Sequence, residues 1–335
     1  MLKWFRRLCL LLTVVAVIAA VWIYRDYQQF SDTPMPLDGH EIVLDVSMGT
    51  SFNQIVRQLG KQGATQAPRE YWRALAMELG VIRTLRAGEY LLEPGMTPRE
   101  LLTRMAKGRV IHHQFTIVEG WTFRELRLAL AKAEKLKQEL QGLGDDDIMA
   151  RVGKPGQHPE GRFLPETYSF VRGQSDLDIL KRAFGSMDEQ LLREWNARAP
   201  DSPLNSPEEL LILASIVEKE TGRAEDRGPI AGVFTRRLKI GMRLQTDPTV
   251  IYGLGSSFNG NLTRKHLETD TPYNSYTRAG LPPTPIALPG LAAIQAAARP
   301  APGDALYFVA KGDGHSHFSA TLGEHNEAVR RYQLR

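Results

Sequence analysis

Glu218 ends a run of residues that no water-facing helix would carry. From Leu210 to Val217 the sequence is uncharged, and a helix that is apolar on every side belongs in a core. A carboxylate at the end of such a helix, on the stripe of Leu211, Ala214 and Ser215, looks into a cleft. Desolvation there raises its pKa and keeps it protonated near neutral pH, the state a general acid requires. The alternative is that Glu218 begins the exposed end of the helix and pairs with a cation, since structural ion pairs also perturb carboxylates. Four further segments carry unusual side chains. Glu160–Tyr168 holds Glu160 and Glu166 among aromatics in a loop broken by Gly161 and Pro165. Gly241–Gly253 sets Gln245, Thr246 and Asp247 together before a proline, and the stretches 271–276 and 280–286 add Tyr273, Asn274 and Tyr276. Amide, hydroxyl and aromatic groups in rigid loops suit a polysaccharide, whose hydroxyls take planar hydrogen-bonding partners and whose faces stack on rings. Each segment could equally be a capped turn.

The elements that must position these groups can be read from caps and periodicity. Ser206, Pro207 and Glu209 make a helix start with a capping box, ahead of the apolar run. Closer to the amino terminus one unit recurs at Gly49–Ile55, Gly95–Leu101 and Gly120–Leu126: Gly, then a Ser or Thr cap, then Gln or Glu three residues on. Strand-like segments precede each copy, at Glu41–Val46, Glu89–Leu92 and Gln114–Val118. With a helix over Pro68–Leu79, the order from Glu41 to Leu92 is strand, helix, helix, strand, which resembles the LysM module that binds N-acetylglucosamine-containing wall chains. Helices are expected over Phe123–Leu140 and Asp176–Arg198, a strand at Leu306–Ala310 and a terminal helix at His325–Tyr332. The fold class is α+β.

The amino terminus places the chain. Leu8–Tyr24 is apolar and uncharged, preceded by Lys3, Arg6 and Arg7, and is at the short end of the length a membrane helix needs. Trp4 and Phe5 on one side and Trp22 and Tyr24 on the other suit two interfacial belts, and the basic flank keeps the amino terminus in the cytoplasm. Aromatics occupy the place where a signal peptidase would want small residues, which favours an uncleaved anchor. The expected organisation is 1–25 cytoplasmic end and anchor, 26–39 tether, 40–110 LysM-like subdomain and 111–335 catalytic region. The single cysteine, Cys9, lies in the anchor, so no internal disulfide forms. A net charge of +4 without a basic stripe interleaved with aromatics gives no indication of nucleic acid.

Several of these motifs follow one another in a fixed order: Ala214–Thr221, Ile230–Phe234, Gly241–Gly253, Tyr273–Tyr276, Gly280–Pro283 and Glu324–Asn326. Together they resemble the endolytic murein transglycosylases, the MltG or YceG-like family, over the whole chain. The resemblance implies a lyase of the inner membrane with its catalytic domain in the periplasm. It would cut the bond from N-acetylmuramic acid to N-acetylglucosamine inside nascent peptidoglycan strands, beside the synthases that make them. It makes Glu218 the catalytic acid, with Glu166, Glu220, Gln245, Asp247, Tyr273, Asn274 and Tyr276 as candidate sugar contacts. A hydrolytic muramidase using Asp247 or Glu166 as second carboxylate, and a wall-binding module without catalysis, remain the rival readings. Two positions depart from the family pattern: Arg162 stands where an apolar or aromatic residue is usual, and Ser316 where a histidine is. His315, His317 and His325 lack acidic or thiol partners at ligand spacing, so neither metal nor cofactor is expected.

Overall fold

The computed structural model describes residues 2–334; Met1 and Arg335, the outer bounds of the expected anchor and catalytic region, lie outside the described residues. The chain divides into two units, one formed by residues 1–113 and 170–173, the other by 114–169 and 174–335. The first contains α1 (Leu2–Asp32), β1 (Ile42–Val46), α2 (Phe52–Lys61), α3 (Arg69–Glu78), β2 (Gly88–Leu92) and α4 (Pro98–Lys107). β1 and β2 pair antiparallel from Ile42 opposite Leu92 to Val46 opposite Gly88. Under this ladder α2, α3 and α4 bury Leu59, Trp72, Leu75 and Leu101 completely. The recurrent caps work as spacing suggests. Ser51 and Gln54 close a capping box at α2, and Thr97 accepts the Glu100 N–H at α4. There the Glu100 carboxylate turns to Arg104 at 2.8 Å.

α1 has two characters. Trp4–Asp32 is long and apolar enough to cross a membrane, and its large apolar side chains up to Tyr24 face outward, which fits a single-pass anchor. Its last turns instead join the first unit. Tyr27 and Phe30 pack on that core, the Tyr71 hydroxyl donates to Asp26 at 2.8 Å, and Arg99 bridges Asp32 and Glu78 at 2.8 Å each. In the following segment Met35 and Leu37 are buried, and the Met35 N–H donates to the Met96 carbonyl.

The second unit follows with β3 (His113–Thr116), α5 (Phe123–Ala131), α6 (Asp145–Val152), β4 (Thr167–Phe170), α7 (Asp176–Asn196) and α8 (Pro207–Glu220). It continues through α9 (Ala224–Lys239), α10 (Asp247–Leu254), α11 (Arg264–Glu268), α12 (Leu291–Ala298), β5 (Tyr307–Ala310), β6 (Ser316–Ser319) and α13 (Leu322–Tyr332). Its core is helical: α8 lies among α7, α9, α10 and α12. Every residue from Leu210 to Val217 is buried. β5 and β6 form an antiparallel pair with α13 beside it.

The helix expected over Phe123–Leu140 stops at Ala131. Its continuation has good helix formers, but tertiary partners win: Asp176, 1% exposed, accepts the N–H groups of Glu139 and Leu140 at 2.9 and 3.2 Å. Lys137 bridges to Ser175 instead. The capping box expected at Ser206 is half made. Ser206 accepts the Glu209 N–H at 3.2 Å, while the Glu209 carboxylate takes the Asn205 N–H at 2.7 Å.

Candidate active site

α8 carries Glu218 in its last turn, directly after the buried run, and the side chain is 6% exposed. Two loops close on it. The turn at Val118–Trp121 is stapled to the approach of α12, with Gly120 N–H to Leu288 O at 2.9 Å and Leu288 N–H to Trp121 O at 2.7 Å. Gly120 makes that turn with φ of 76°, a left-handed conformation costly for a residue with a side chain. Lys219 reaches over the turn, donating to the Gly120 carbonyl at 3.1 Å. Gly290, the N-cap of α12, donates its N–H to Glu218 Oε2 at 3.0 Å. A Cβ at Gly290 would overlap the Glu119 carboxylate, so glycine is what lets these three groups meet.

A cation completes the cluster. Arg227 of α9, 13% exposed, sets Nη2 3.7 Å from Glu119 Oε2 and 4.0 Å from Glu218 Oε1, too far for a hydrogen bond to either. Its Nε is buried without a partner. Burial is the main influence on Glu218 and raises its pKa; the Gly290 N–H opposes this, Glu119 adds to it, and Arg227 and Lys219 oppose it. The start of α12 also favours the ionised form. The net direction is upward, so Glu218 is a carboxyl group that holds its proton longer than an exposed one and can donate it.

Glu220, two residues on, faces another environment. The Thr246 hydroxyl donates to Glu220 Oε1. Burial pushes the carboxyl up to about 7, with Thr246 opposing and Asp247 adding to the rise. Asp247 accepts from the Tyr276 hydroxyl at 2.6 Å. Gln245 has φ of 48°, an uncommon backbone for a residue with a side chain, and is held by its N–H to the Ser275 carbonyl at 3.1 Å. Thus Glu220, Gln245, Asp247 and Tyr276 gather around the Thr246–Ser275 contact, where Thr246 N–H meets Ser275 Oγ at 3.0 Å.

The other expected contacts lie elsewhere. Tyr273 hydrogen-bonds Thr284 at 2.8 Å and sets its ring edge-on to Tyr252 at 5.0 Å. Asn274, 1% exposed, gives its amide to the carbonyls of His266, Leu267 and Thr269, which closes the end of α11. Glu166 is exposed, and its carbonyl takes the Ile117 N–H. Glu160 in the same loop is the buried one, 4% exposed. It accepts the Phe123 N–H at 2.9 Å and the Tyr252 hydroxyl at 3.1 Å, and burial raises it to about 7. Arg162 pairs with Glu208 at the start of α8. Of the histidines, His315 meets Arg223, His317 lies against Tyr332 and His325 stacks on Tyr307.

Sequence reasoning missed Glu119, Arg227 and Gly290. The available signal was Glu119-Gly120-Trp121, which reads as a turn between a strand and a capped helix and carries no chemical signature by itself.

Comparison with known proteins converges on one family. The YceG-like family model matches residues 44–331. The endolytic murein transglycosylase of Bacillus subtilis (strain 168) is 33% identical over 264 residues, covering 74% of this chain and 73% of that protein. The protein of the same name from Streptococcus pneumoniae serotype 2 is 27% identical, covering 91% of this chain; the chain spans 61% of that relative's length. A crystal structure of a putative YceG-like protein from Listeria monocytogenes, 31% identical, superposes with a TM-score of 0.55 over 86% of this chain and 98% of that one.

Proposed function

The chain belongs to the YceG-like family, and from that premise we propose that it is an endolytic peptidoglycan lytic transglycosylase whose acid is Glu218. Its relatives are named endolytic murein transglycosylases, and this chain is an enzyme of that class. The observation that carries the finer reading is the Glu218 carboxyl itself: 6% exposed, raised in pKa and set at the meeting of three loops and helices. Protonated Glu218 donates to the oxygen joining N-acetylmuramic acid C1 to N-acetylglucosamine. The C1–O bond breaks through an oxocarbenium-like state, as in other glycoside cleavage. The carboxylate then takes the proton of the muramic acid C6 hydroxyl, whose oxygen closes on C1. Glu218 ends protonated, no water is consumed, and the strand ends in 1,6-anhydromuramic acid.

Hydrolysis would need a carboxylate to activate water. Asp247 is engaged by Tyr276 and Glu166 is exposed, whereas Glu119 stands beside the acid, so in that reading Glu119 is the base. The apolar length of α1 supports a single-pass anchor with the remainder outside the cytoplasmic membrane, in the periplasm, where nascent strands emerge from synthases. The β1-α2-α3-β2 order supports a LysM-like role in holding glycan. A cavity of about 280 Å³ between the turns at Val46–Phe52 and Ile82–Ala87 offers a place for a sugar.

The test is strand scission of uncrosslinked peptidoglycan by the full chain in detergent micelles. Shortening of strands from within, abolished in Glu218→Gln, is the expected result. Equal shortening by both proteins would remove Glu218 from the mechanism, and shortening by neither would favour a wall-binding module.

A further inference from the structure

The proton of Glu218 is governed by groups that come from four different elements. From its own helix Lys219 turns away to the Gly120 carbonyl. From α9 comes Arg227, from the start of α12 the Gly290 N–H, and from the turn after β3 comes Glu119. Arg227 and the Gly290 N–H both stabilise a negative Glu218. Left alone with the acid, a buried guanidinium would hold it ionised and silence it. Burial opposes this pull, and Glu119 adds to the opposition, because the same Arg227 nitrogen lies nearer to its carboxylate than to that of Glu218.

We propose that Glu119 is a positioning residue for the reaction: it draws Arg227 to itself and so keeps Glu218 able to hold and return a proton. This inference rests on Glu218 being the acid. Three independent features place Glu119 there. The Gly120–Leu288 and Leu288–Trp121 hydrogen bonds fix its turn, Gly290 leaves room for its carboxylate, and Arg227 sets Nη2 3.7 Å from its Oε2. Glu119 is 47% exposed, so solvent weakens its field and its carboxylate has room to move. During the reaction Glu218 becomes a carboxylate after giving up its proton. Arg227, held between the two acids, can lean towards it at that moment and back when the C6 hydroxyl proton arrives. Substituting Glu119 therefore changes the pH at which the acid fails, in a direction fixed by charge.

The experiment is the pH dependence of strand scission by the full chain in micelles, for wild type, Glu119→Gln, Glu119→Asp, Arg227→Gln and the Glu119→Gln/Arg227→Gln pair, with Glu218→Gln as control. A rate that needs protonated Glu218 falls on the alkaline side. Glu119→Gln is expected to move that fall to lower pH by about one unit, a roughly tenfold loss above it, and Glu119→Asp to restore much of the shift. Arg227→Gln moves the fall to higher pH, and the pair returns it towards wild type. A Glu119→Gln rate reduced equally at every pH would mean a structural role and overturn the proposal, as would Arg227→Gln and Glu119→Gln shifting in the same direction. An active Glu218→Gln would sink the underlying reading instead. An inactive Glu218→Gln with an unmoved alkaline fall in Glu119→Gln sinks this inference alone.

Discussion

Replacing Glu160 with glutamine should make the protein more stable at pH 8 than the wild type, with a much smaller gain at pH 5. Glu160 is 4% exposed and joins the first residue of α5 to α10 through the Phe123 N–H and the Tyr252 hydroxyl. Burial raises its carboxyl from 4.5 to about 7. A carboxyl whose pKa is higher folded than unfolded binds its proton more tightly in the native state. Stability is then greatest below the unfolded value and declines as pH rises towards the folded one, levelling above it. At about 1.4 kcal/mol per unit, this decline amounts to about 3 kcal/mol. Glutamine copies the protonated acid, since its carbonyl can accept from Phe123 and its amide can donate to Tyr252. The variant should therefore exceed wild type by less than about 1 kcal/mol near pH 5 and by about 3 kcal/mol near pH 8. Urea melts of both proteins at the two pH values measure this directly. A variant that loses more stability at pH 8 than at pH 5 would show that ionised Glu160 is a favoured acceptor, and would refute the reasoning.

Two further outcomes test the fold, one beside the site and one in the first unit. Ser215→Ala removes the hydroxyl that accepts the buried Ile286 N–H at 3.0 Å; an orphaned buried donor costs about 1–3 kcal/mol, read as a lower melt midpoint, and an unchanged midpoint would mean the N–H finds another partner. Trp72→Ala in the first unit empties a fully buried site and strands Thr65, which accepts from the indole at 3.2 Å. It should cost about 3–5 kcal/mol and speed amide exchange in α2, α3 and β2. Exchange in α8 should stay as it was, and a matching rise there would contradict the division into two units.

What could be read in advance follows the physics of each element. α8 was legible because eight consecutive uncharged residues leave no face for water, and the same fact put Glu218 in a desolvated place. The small strand-helix-helix-strand unit and the helix after it were legible because Ser51 and Thr97 cap locally. Local signals failed where distant residues decide. Lys132–Leu140 has helical propensity, but Asp176, far along the chain, takes the N–H groups of Glu139 and Leu140. Asn274 and Tyr273 have side chains suited to sugars, and their local partners, the end of α11 and Thr284, come from packing that the sequence does not display. Glu160 and Glu166 look alike in sequence, and only packing decides that the first is buried and the second exposed. Glu119 and Arg227 lie 108 positions apart with no pattern linking them, so their meeting at Glu218 depends on the Leu288 staple and on Gly290.

The most direct measurement of the central claim is the mass of the cleaved strand ends after reaction in oxygen-18 water. Lytic closure through Glu218 predicts ends lighter by one water than a reducing terminus, with no heavy oxygen, and none of them in Glu218→Gln. Reducing ends carrying oxygen-18 would contradict it and show hydrolysis instead.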